Sequence, residues 1–307
     1  MNWSYGITTV PQRITDTLPR TIESLASAGF KEPRLFVDGW YGEPQFMGCP
    51  VTTRDTPIKL VGSWMAGMWE LYTRNPTAHR FAMFQDDILS IGNLKKYLEW
   101  SKYPKAGYLN LYTFTQNTHK DHKEIGWHPS NQRGMGALGL VFDRDTLVSL
   151  LRSGHLARKP IDAHSTRSWK ALDGGIVSGL KEFKIHEYIH NPTLLQHTGT
   201  EHSALGNSVG GKPYGENKSF PGENKDAMDY LAKDPPTWVP EPGDDPITRA
   251  IEMIGREGDR VKRWMAEGCG NCADSRRKRA KIGAWASRVL QGKTEKAQEY
   301  LEKILED

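Results

Sequence analysis

Two adjacent carboxylates follow a short apolar run in the sequence Arg80-Phe81-Ala82-Met83-Phe84-Gln85-Asp86-Asp87-Ile88. If residues 81–84 form a buried strand, Asp86 and Asp87 lie at its carboxyl end, which is where open α/β sheets bind ligands. Paired acids at such a position can hold a divalent cation, and that cation can neutralise a diphosphate. The alternative is that one acid caps the next helix and the other is solvated. The run therefore predicts either a metal site for a nucleotide-bearing substrate or an ordinary helix start.

The segments around this pair alternate between strand-like and helix-like patterns. Strands are predicted over residues 4–9, 34–37, 108–112 and 137–142, and over the run that ends at Asp87. Helices are predicted over residues 17–29, 62–72, 94–100, 143–151 and 173–180, with Asp16 or Thr17 and Asn93 as caps of the first and third. This order predicts an α/β fold with a mixed, Rossmann-like sheet flanked by helices.

The composition divides the chain into three predicted segments. Residues 1–205 form the α/β catalytic domain, and residues 206–245, rich in Gly, Pro and charged side chains, form a linker or a long active-site loop. Residues 246–307 form a small, basic, helical C-terminal region that contains Cys269 and Cys272. These two cysteines have the spacing of half a zinc site, which His186, His190 or His202 could complete, or they are two free thiols in a turn.

The remaining composition predicts a cytoplasmic protein. No window approaches the roughly 18 uninterrupted apolar residues of a membrane span, and no basic, apolar leader precedes the first strand. Three cysteines, with Cys49 as the third, are too few for a disulfide framework and fit a reducing compartment.

Three motifs resemble a known family. They are Ile7-Thr8-Thr9-Val10-Pro11-Gln12-Arg13, Gln85-Asp86-Asp87-Ile88 and Pro192-Thr193-Leu194-Leu195-Gln196-His197-Thr198-Gly199. In this order they resemble glycosyltransferases of the GT-A fold, in places the branch that includes N-acetylglucosaminyltransferase IV. The resemblance covers residues 3–205 with long unaligned intervals. It implies a GT-A-like sheet and a nucleotide sugar as donor, with a UDP-sugar expected.

The resemblance also implies roles for residues at the strand ends. Asp87 and His197 would bind the metal, Asp86 would face the ribose or sugar, Asp38 would read the base, and Thr9 and Arg13 would touch base or phosphate. The other predicted donor contacts are Thr8, Val10, Arg54 and Gly62. In other interpretations His197 is a core histidine bonded to a backbone carbonyl, Asp38 makes an Asx turn with Gly39, and Arg13 and Arg54 are surface charges.

The sequence departs from the family at Gln85, where the DxD motif begins with Asp. A metal between two diphosphate oxygens needs few protein ligands, so Asp87, His197 and waters can complete a six-coordinate site. Imidazole and carboxylate together suit Mn²⁺ or Mg²⁺.

Asp173 is the predicted catalytic base, because its position before Gly174 and Gly175 matches that of the catalytic acid in inverting GT-A enzymes. Sugar transfer to a hydroxyl needs a group that removes the hydroxyl proton. The alternative role of Asp173 is a helix N-cap. Gly136 and Ala137 belong to the glycine-rich run of residues 134–139. This run is either an acceptor or donor-sugar loop or simply the start of a strand.

The positive charge is concentrated near the C-terminus. Residues 255–288 contain ten Lys or Arg and four Asp or Glu, a local charge of +6, so the rest of the chain carries about −2 of the total of +4. The basic run Arg276, Arg277, Lys278 and Arg279 lies between Trp264 and Trp285, a mixture typical of polyanion-binding surfaces and also of a solvated helix face. The Cys-x-x-Cys-x-x-x-Arg-Arg spacing resembles short basic tails of phage-encoded proteins.

Together these features predict a metal-dependent, inverting glycosyltransferase that uses a nucleotide sugar. The preferred acceptor is a hydroxymethylated pyrimidine in phage DNA, inside a bacterial host cell, which the enzyme would extrude or meet in a wide groove. The alternatives are a glycan, lipid or protein acceptor, a metal-dependent nucleotidyltransferase, and a nucleic-acid-binding protein without enzymatic activity.

Overall fold

The fold is taken from a computed structural model of the protein. The residues it describes are 1–101, 103–118, 124–153, 172–198 and 217–231. The chain divides into two units, Met1–Pro236 and Thr237–Asp307, and every described residue lies in the first. The predictions for residues 246–307, which include the cysteine pair and the basic run, therefore lie outside the described residues, as does His202. None of the helices in the described ranges combines the length and the hydropathy that a bilayer span requires.

Eleven strands and five α-helices make up the described ranges. The strands are β1 (Trp3–Thr9), β2 (Arg34–Val37), β3 (Gln45–Phe46), β4 (Cys49–Thr53), β5 (Arg80–Gln85), β6 (Ile88–Ser90), β7 (Gly107–Asn110), β8 (Gly126–Pro129), β9 (Gly139–Asp143), β10 (His186–Asn191) and β11 (Leu195–His197). The helices are α1 (Leu18–Ser27), α2 (Lys59–Arg74), α3 (Leu94–Trp100), α4 (Arg144–Arg152) and α5 (Leu172–Lys181). Three short 3₁₀ helices span Pro11–Arg13, Thr115–Asn117 and Ala227–Tyr230.

Nine of these strands form one mixed sheet in the order β3-β4-β2-β1-β5-β9-β7-β10-β8, while β6 and β11 pair separately. Strand β1 runs parallel to β2 and β5, and β2 runs parallel to β4. Strand β9 lies antiparallel between β5 and β7, so β7 and its parallel neighbour β10 again point the same way as β1. The carboxyl ends of six strands and the amino ends of the three antiparallel strands β3, β8 and β9 therefore meet at one end of the sheet, called here the carboxyl end.

The position of strand β5 in the sheet explains why its sequence is continuously apolar. Phe81 and Met83 belong to the core on one face of the sheet, and Ala82 and Phe84 belong to the core on the other. Helices α2, α4 and α5 pack on the first face, and α1 and α3 pack on the second. A strand covered on both faces buries every side chain, which removes the alternation of a half-exposed strand.

The predicted mixed α/β sheet flanked by helices is confirmed. The strand at residues 34–37 and the helix at 94–100 match their predicted bounds. Six strands, β3, β4, β6, β8, β10 and β11, were not predicted, because they are short or carry polar side chains. In β10, for example, the buried positions include Glu187 and His190.

Thr17 and Asn93 stand at the predicted N-cap positions, but neither side chain makes a capping hydrogen bond. Thr17 is the residue before α1. Asn93 precedes α3 with a left-handed φ of 54°. Its amide instead donates to Asp226 at 2.8 Å, so a long-range contact replaces the local one.

Residues 217–231, part of the predicted 206–245 segment, pack against the rest of the first unit near α3. The Gly92 N–H donates to the Lys225 carbonyl, and the Ala227 N–H donates to the Gly92 carbonyl, each at 2.9 Å. Ala227 is fully buried beside α3. This piece of the segment is therefore part of the fold of the first unit.

Candidate functional site

The candidate site lies at the carboxyl end of the sheet. Thr9 ends β1, Asp38 follows β2, Arg54 follows β4, and the acid pair follows β5. Because these four strands are parallel, the sheet brings together residues that are far apart in the sequence.

Asp86 and Asp87 form the turn between β5 and β6, called here the acid turn. Thr21 of α1 fixes this turn. The Thr21 hydroxyl lies 3.0 Å from the carbonyl oxygens of both Asp86 and Ile88, and it accepts the Ile88 N–H at 3.1 Å. Both acids are buried, with 3% of each exposed. Helix α1 therefore sets the backbone from which the two carboxylates project.

The ladder between β6 and β11 places His197 beside Asp87. His197 lies opposite Ile88 in this ladder, and the Thr198 N–H donates to the Asp87 carbonyl at 2.8 Å. As a result, His197 Nε2 lies 3.2 Å from Asp87 Oδ2. His197 thus contacts a carboxylate and remains 16% exposed at its side chain, in contrast to the alternative of a histidine bonded to a backbone carbonyl.

Arg13 lies between the two acids. Its Nη1 is 2.7 Å from Asp86 Oδ1 and 2.9 Å from Asp87 Oδ2. Burial lowers the pKa of Arg13, but the two carboxylates outweigh burial and raise it. Arg13 is therefore a fixed cation in the acid pair, and its side chain is only 16% exposed.

The environments of the two acids differ. Asp86 Oδ2 accepts the Thr9 hydroxyl at 2.6 Å while Oδ1 binds Arg13, so both Asp86 oxygens have partners within the protein. Burial and the neighbouring Asp87 charge raise the pKa of Asp86 to about 6, against the effects of Arg13 and Thr9. Burial acts on Asp87 in the same direction, but His197 and Arg13 together lower the pKa of Asp87 below its usual value.

Asp87 is the acid of the pair whose surroundings would suit a cation. Asp87 Oδ1 is buried and has no hydrogen-bond partner in the part of the chain that the structure describes. A buried carboxylate oxygen without a partner raises the free energy of the folded state, so such an atom is well suited to bind a cation. In the described ranges, no group of three His, Cys, Asp or Glu side chains is arranged to hold a metal. At Asp87, the second side chain within reach of a cation would be His197, whose Nε2 lies 3.2 Å from Asp87 Oδ2.

The other predicted donor contacts lie around the same end of the sheet. Asp38 Oδ1 accepts the Ile58 N–H at 2.8 Å at the start of α2, and burial raises the Asp38 pKa. The buried Nη1 of Arg54 has no hydrogen-bond partner among the described residues. Thr8 donates to the Phe84 carbonyl at 3.2 Å, within the pairing of β1 with β5. Val10 immediately precedes the Pro11–Arg13 helix, and Gly62 lies in the first turn of α2 against Ile58.

Asp173 lies in the first turn of α5 and contacts the glycine-rich run that precedes β9. Its Oδ2 accepts the backbone N–H groups of Gly136 at 2.8 Å and Ala137 at 3.3 Å. Burial raises the Asp173 pKa, partly offset by these two N–H groups. Gly134 has φ of 67°, and a Cβ there would lie 2.5 Å from the Asp173 carbonyl oxygen, so a side chain at residue 134 would collide with the start of α5.

Three residues support this site through contacts that no local pattern in the sequence indicates. Thr21 holds the acid turn, and Gln85 donates its amide to the Ala137 carbonyl at 3.1 Å. Glu187 is a buried carboxylate that accepts hydrogen bonds from Tyr108, Asn110 and Asn117. These contacts join strands and helices distant in sequence, so no local pattern could have identified them.

No protein-family model matches the sequence, and no curated protein matches it significantly. Solved structures match at low similarity. A nucleotidyl transferase from Methanothermobacter thermautotroptrophicus is 14% identical, with coverage of 62% of this chain and 87% of that chain and a TM-score of 0.38. A nucleoside-diphosphate-sugar pyrophosphorylase from Vibrio cholerae is 9% identical, with coverage of 64% and 95% and a TM-score of 0.38. A mannose-1-phosphate geranyltransferase from Thermus thermophilus is 12% identical, with coverage of 62% and 74% and a TM-score of 0.38. Similarity this low does not assign a function.

Proposed function

We propose that the protein is a metal-dependent glycosyltransferase of the GT-A type, which moves a sugar from a nucleotide sugar to an acceptor hydroxyl. The observation that carries this proposal is the unpartnered, buried Oδ1 of Asp87 beside His197. It occurs at the carboxyl end of parallel strands, where α/β proteins bind nucleotides. The order of the three GT-A-like motifs in the sequence supports the same activity.

Asp87 and His197 would hold Mn²⁺ or Mg²⁺, with donor oxygens and water as the remaining ligands. When bound, the metal neutralises the diphosphate that leaves from the sugar. The acid pair and Arg13 together carry a net charge of about −1 when both acids are ionised, which favours a cation at Asp87.

Arg13, Arg54 and Asp38 have separate roles in this proposal. Arg13 already binds both acids, so it orients the Asp87 carboxylate instead of moving to the donor. The unpartnered guanidinium nitrogen of Arg54 binds a donor phosphate. Asp38, fixed by the start of α2, contacts the nucleoside.

Asp173 would act as the general base. The acceptor oxygen attacks the anomeric carbon, its proton passes to Asp173, and the bond from that carbon to the diphosphate breaks. Attack opposite the leaving group inverts the configuration. The Gly136 and Ala137 N–H groups bind Oδ2 of Asp173 and thereby fix the orientation of the carboxylate.

A hydroxymethylated pyrimidine in DNA is the acceptor to test first. The local charge of +6 over residues 255–288 supports it, because Lys and Arg neutralise DNA phosphates. Arg276, Arg277, Lys278 and Arg279 would contact the DNA backbone, while Gly136 and Ala137 would lie near the reacting hydroxyl. A glycan, lipid or protein hydroxyl is the alternative acceptor.

The direct test is an incubation of the full chain with Mn²⁺ or Mg²⁺ and a panel of nucleotide sugars, with and without hydroxymethylated DNA. We expect release of a nucleoside diphosphate from at least one nucleotide sugar, abolished by a chelator. Release of pyrophosphate in a parallel incubation with nucleoside triphosphates in place of the nucleotide sugars would instead identify a nucleotidyltransferase. If neither product forms, the proposed activity is wrong.

A further inference from the structure

Gln85 occupies the first position of the predicted metal motif, yet its side chain points to another part of the site. Its Nε2 donates to the Ala137 carbonyl at 3.1 Å, and its backbone N–H donates to the Leu138 carbonyl at 2.8 Å. Gln85 continues the alternation of Phe81 and Met83, so it lies on the face of the sheet that α5 covers. The end of β5 therefore joins two halves of the site, with the acid pair on one side and the glycine-rich run on the other.

The bond from Gln85 leads to Asp173 through a single residue. The Ala137 carbonyl accepts from Gln85, and the Ala137 N–H donates to Asp173 Oδ2 at 3.3 Å. The neighbouring Gly136, at φ of 77°, donates to the same oxygen at 2.8 Å. Displacement of the Ala137 backbone would thus change the surroundings of the Asp173 carboxylate.

The chemistry of this contact requires a hydrogen-bond donor, which the Gln85 amide supplies. A carbonyl oxygen only accepts hydrogen bonds, so the side chain that reaches it must carry a donor. An ionised Asp at residue 85 would be shorter and would place a negative charge near the Ala137 oxygen. The departure of residue 85 from the usual Asp is therefore explained by a contact to Ala137.

We propose that Gln85 is a positioning residue, which holds the backbone of Ala137 against Asp173 instead of binding a metal. This inference rests on the proposed function, in which Asp173 is the general base. Through this contact, the end of β5 links the acid pair, on the donor side of the site, to the base Asp173.

The kinetic test compares Q85M and Q85D with wild type. Q85M keeps the length of the side chain but has no donor. We expect kcat to fall about tenfold or more and KM for the nucleotide sugar to stay within about twofold, because a small misplacement of a catalytic group slows chemistry more than binding. We expect Q85D, which restores the usual motif acid, to be impaired at least as much. A Q85D variant with raised activity, or a Q85M variant with raised KM and unchanged kcat, would show that Gln85 serves the donor or the metal.

The second readout needs no turnover. The sequence contains two Gly-Ala pairs, at residues 136–137 and 283–284. Labelling with ¹³C′-glycine and ¹⁵N-alanine therefore selects two amide signals, and A284S identifies the second. We expect solvent exchange of the Ala137 amide hydrogen to accelerate about tenfold in Q85M, because its bond to Asp173 weakens.

Q45M is the matched control, since Gln45 is exposed on β3, and we expect it to leave both readouts unchanged. Unchanged Ala137 exchange in Q85M would overturn the inference. If wild type turns over no nucleotide sugar, the proposed function fails, and the exchange measurement still decides whether Gln85 holds the backbone of Ala137.

Discussion

At the scale of single residues, two neighbouring acids have different partners. Both oxygens of Asp86 already accept hydrogen bonds, from Thr9 and Arg13, whereas Asp87 keeps one buried oxygen without a partner in the described ranges. The sequence could indicate that the acids end a strand, because the preceding run is apolar. It could not indicate which acid would be satisfied by the protein, because Thr9 and Arg13 are more than seventy residues away.

His190 gives a prediction about the pH dependence of stability. It is fully buried, its Nδ1 lies 2.7 Å from the Pro192 carbonyl, and its Nε2 lies 2.8 Å from the Tyr97 hydroxyl. A carbonyl accepts only, so Nδ1 carries the proton and Nε2 accepts from Tyr97. Burial lowers the His190 pKa from 6.5 to about 4.

Between these two pKa values the unfolded chain binds a proton at His190 and the folded chain does not, so the free energy of unfolding falls as pH is lowered. The shift from 6.5 to about 4 corresponds to a loss on the order of 3 kcal/mol, complete near pH 4. Urea unfolding of wild type and H190Q between pH 7 and pH 4.5 measures this loss. We expect a shallower pH dependence for H190Q; equal slopes for the two proteins would contradict the assignment.

At the scale of elements, α1 organises the acid turn through one hydroxyl. Thr21 is buried, and it satisfies backbone groups on both sides of Asp87. The sequence predicts an amphipathic helix here, because apolar residues recur at helical spacing. A buried threonine on the apolar face of such a helix has no distinctive local signal.

Replacement of Thr21 by valine should destabilise the protein and disturb the acid turn. T21V keeps the shape of the side chain but leaves the Ile88 N–H without a buried acceptor, at an expected cost of about 1–3 kcal/mol. Urea unfolding measures this cost, and T21S is the control, because it retains the hydroxyl. We expect the free energy of unfolding of T21S to be closer to that of wild type than the value for T21V is. Equal stability of T21V and wild type would show that the hydroxyl contributes nothing to the turn.

Several elements were predictable from the sequence because their physical cause is local. Strands β1, β2, β5 and β9 have apolar runs, and the helices have apolar residues at helical spacing. Strands β6 and β11 were not predictable, because three-residue strands form only when their partner is present. The ladder between them sets the contact of His197 with Asp87. The sequence predicted that pair only through the family resemblance.

At the scale of the whole molecule, residues 255–288 carry a net positive charge, whereas the rest of the chain is slightly negative. If residues 276–279 contact DNA, the full-length variant R276Q/R277Q/K278Q/R279Q should bind hydroxymethylated DNA more weakly. The slope of log K against log salt should also become shallower, by about 0.9 for each phosphate contact removed. Filter binding or fluorescence anisotropy over a salt series measures both effects.

The control for this prediction removes the same number of charges elsewhere. Lys31, Lys96, Lys181 and Lys184 are exposed on the first unit, and we expect their replacement by Gln to leave the salt dependence nearly unchanged. An unaltered slope in the quadruple variant of residues 276–279 would count against DNA as a partner of that region.

The central claim is that Asp87 serves a metal that acts on a nucleotide sugar. The most direct measurement is the metal-dependent rate of nucleoside diphosphate release by wild type and D87N, with D145N as control because Asp145 is exposed on α4. We predict that D87N loses about a hundredfold or more of this rate, since the metal loses its charged ligand, and that D145N keeps it. Release by D87N at the wild-type rate, or no release by wild type from any nucleotide sugar, would contradict the claim.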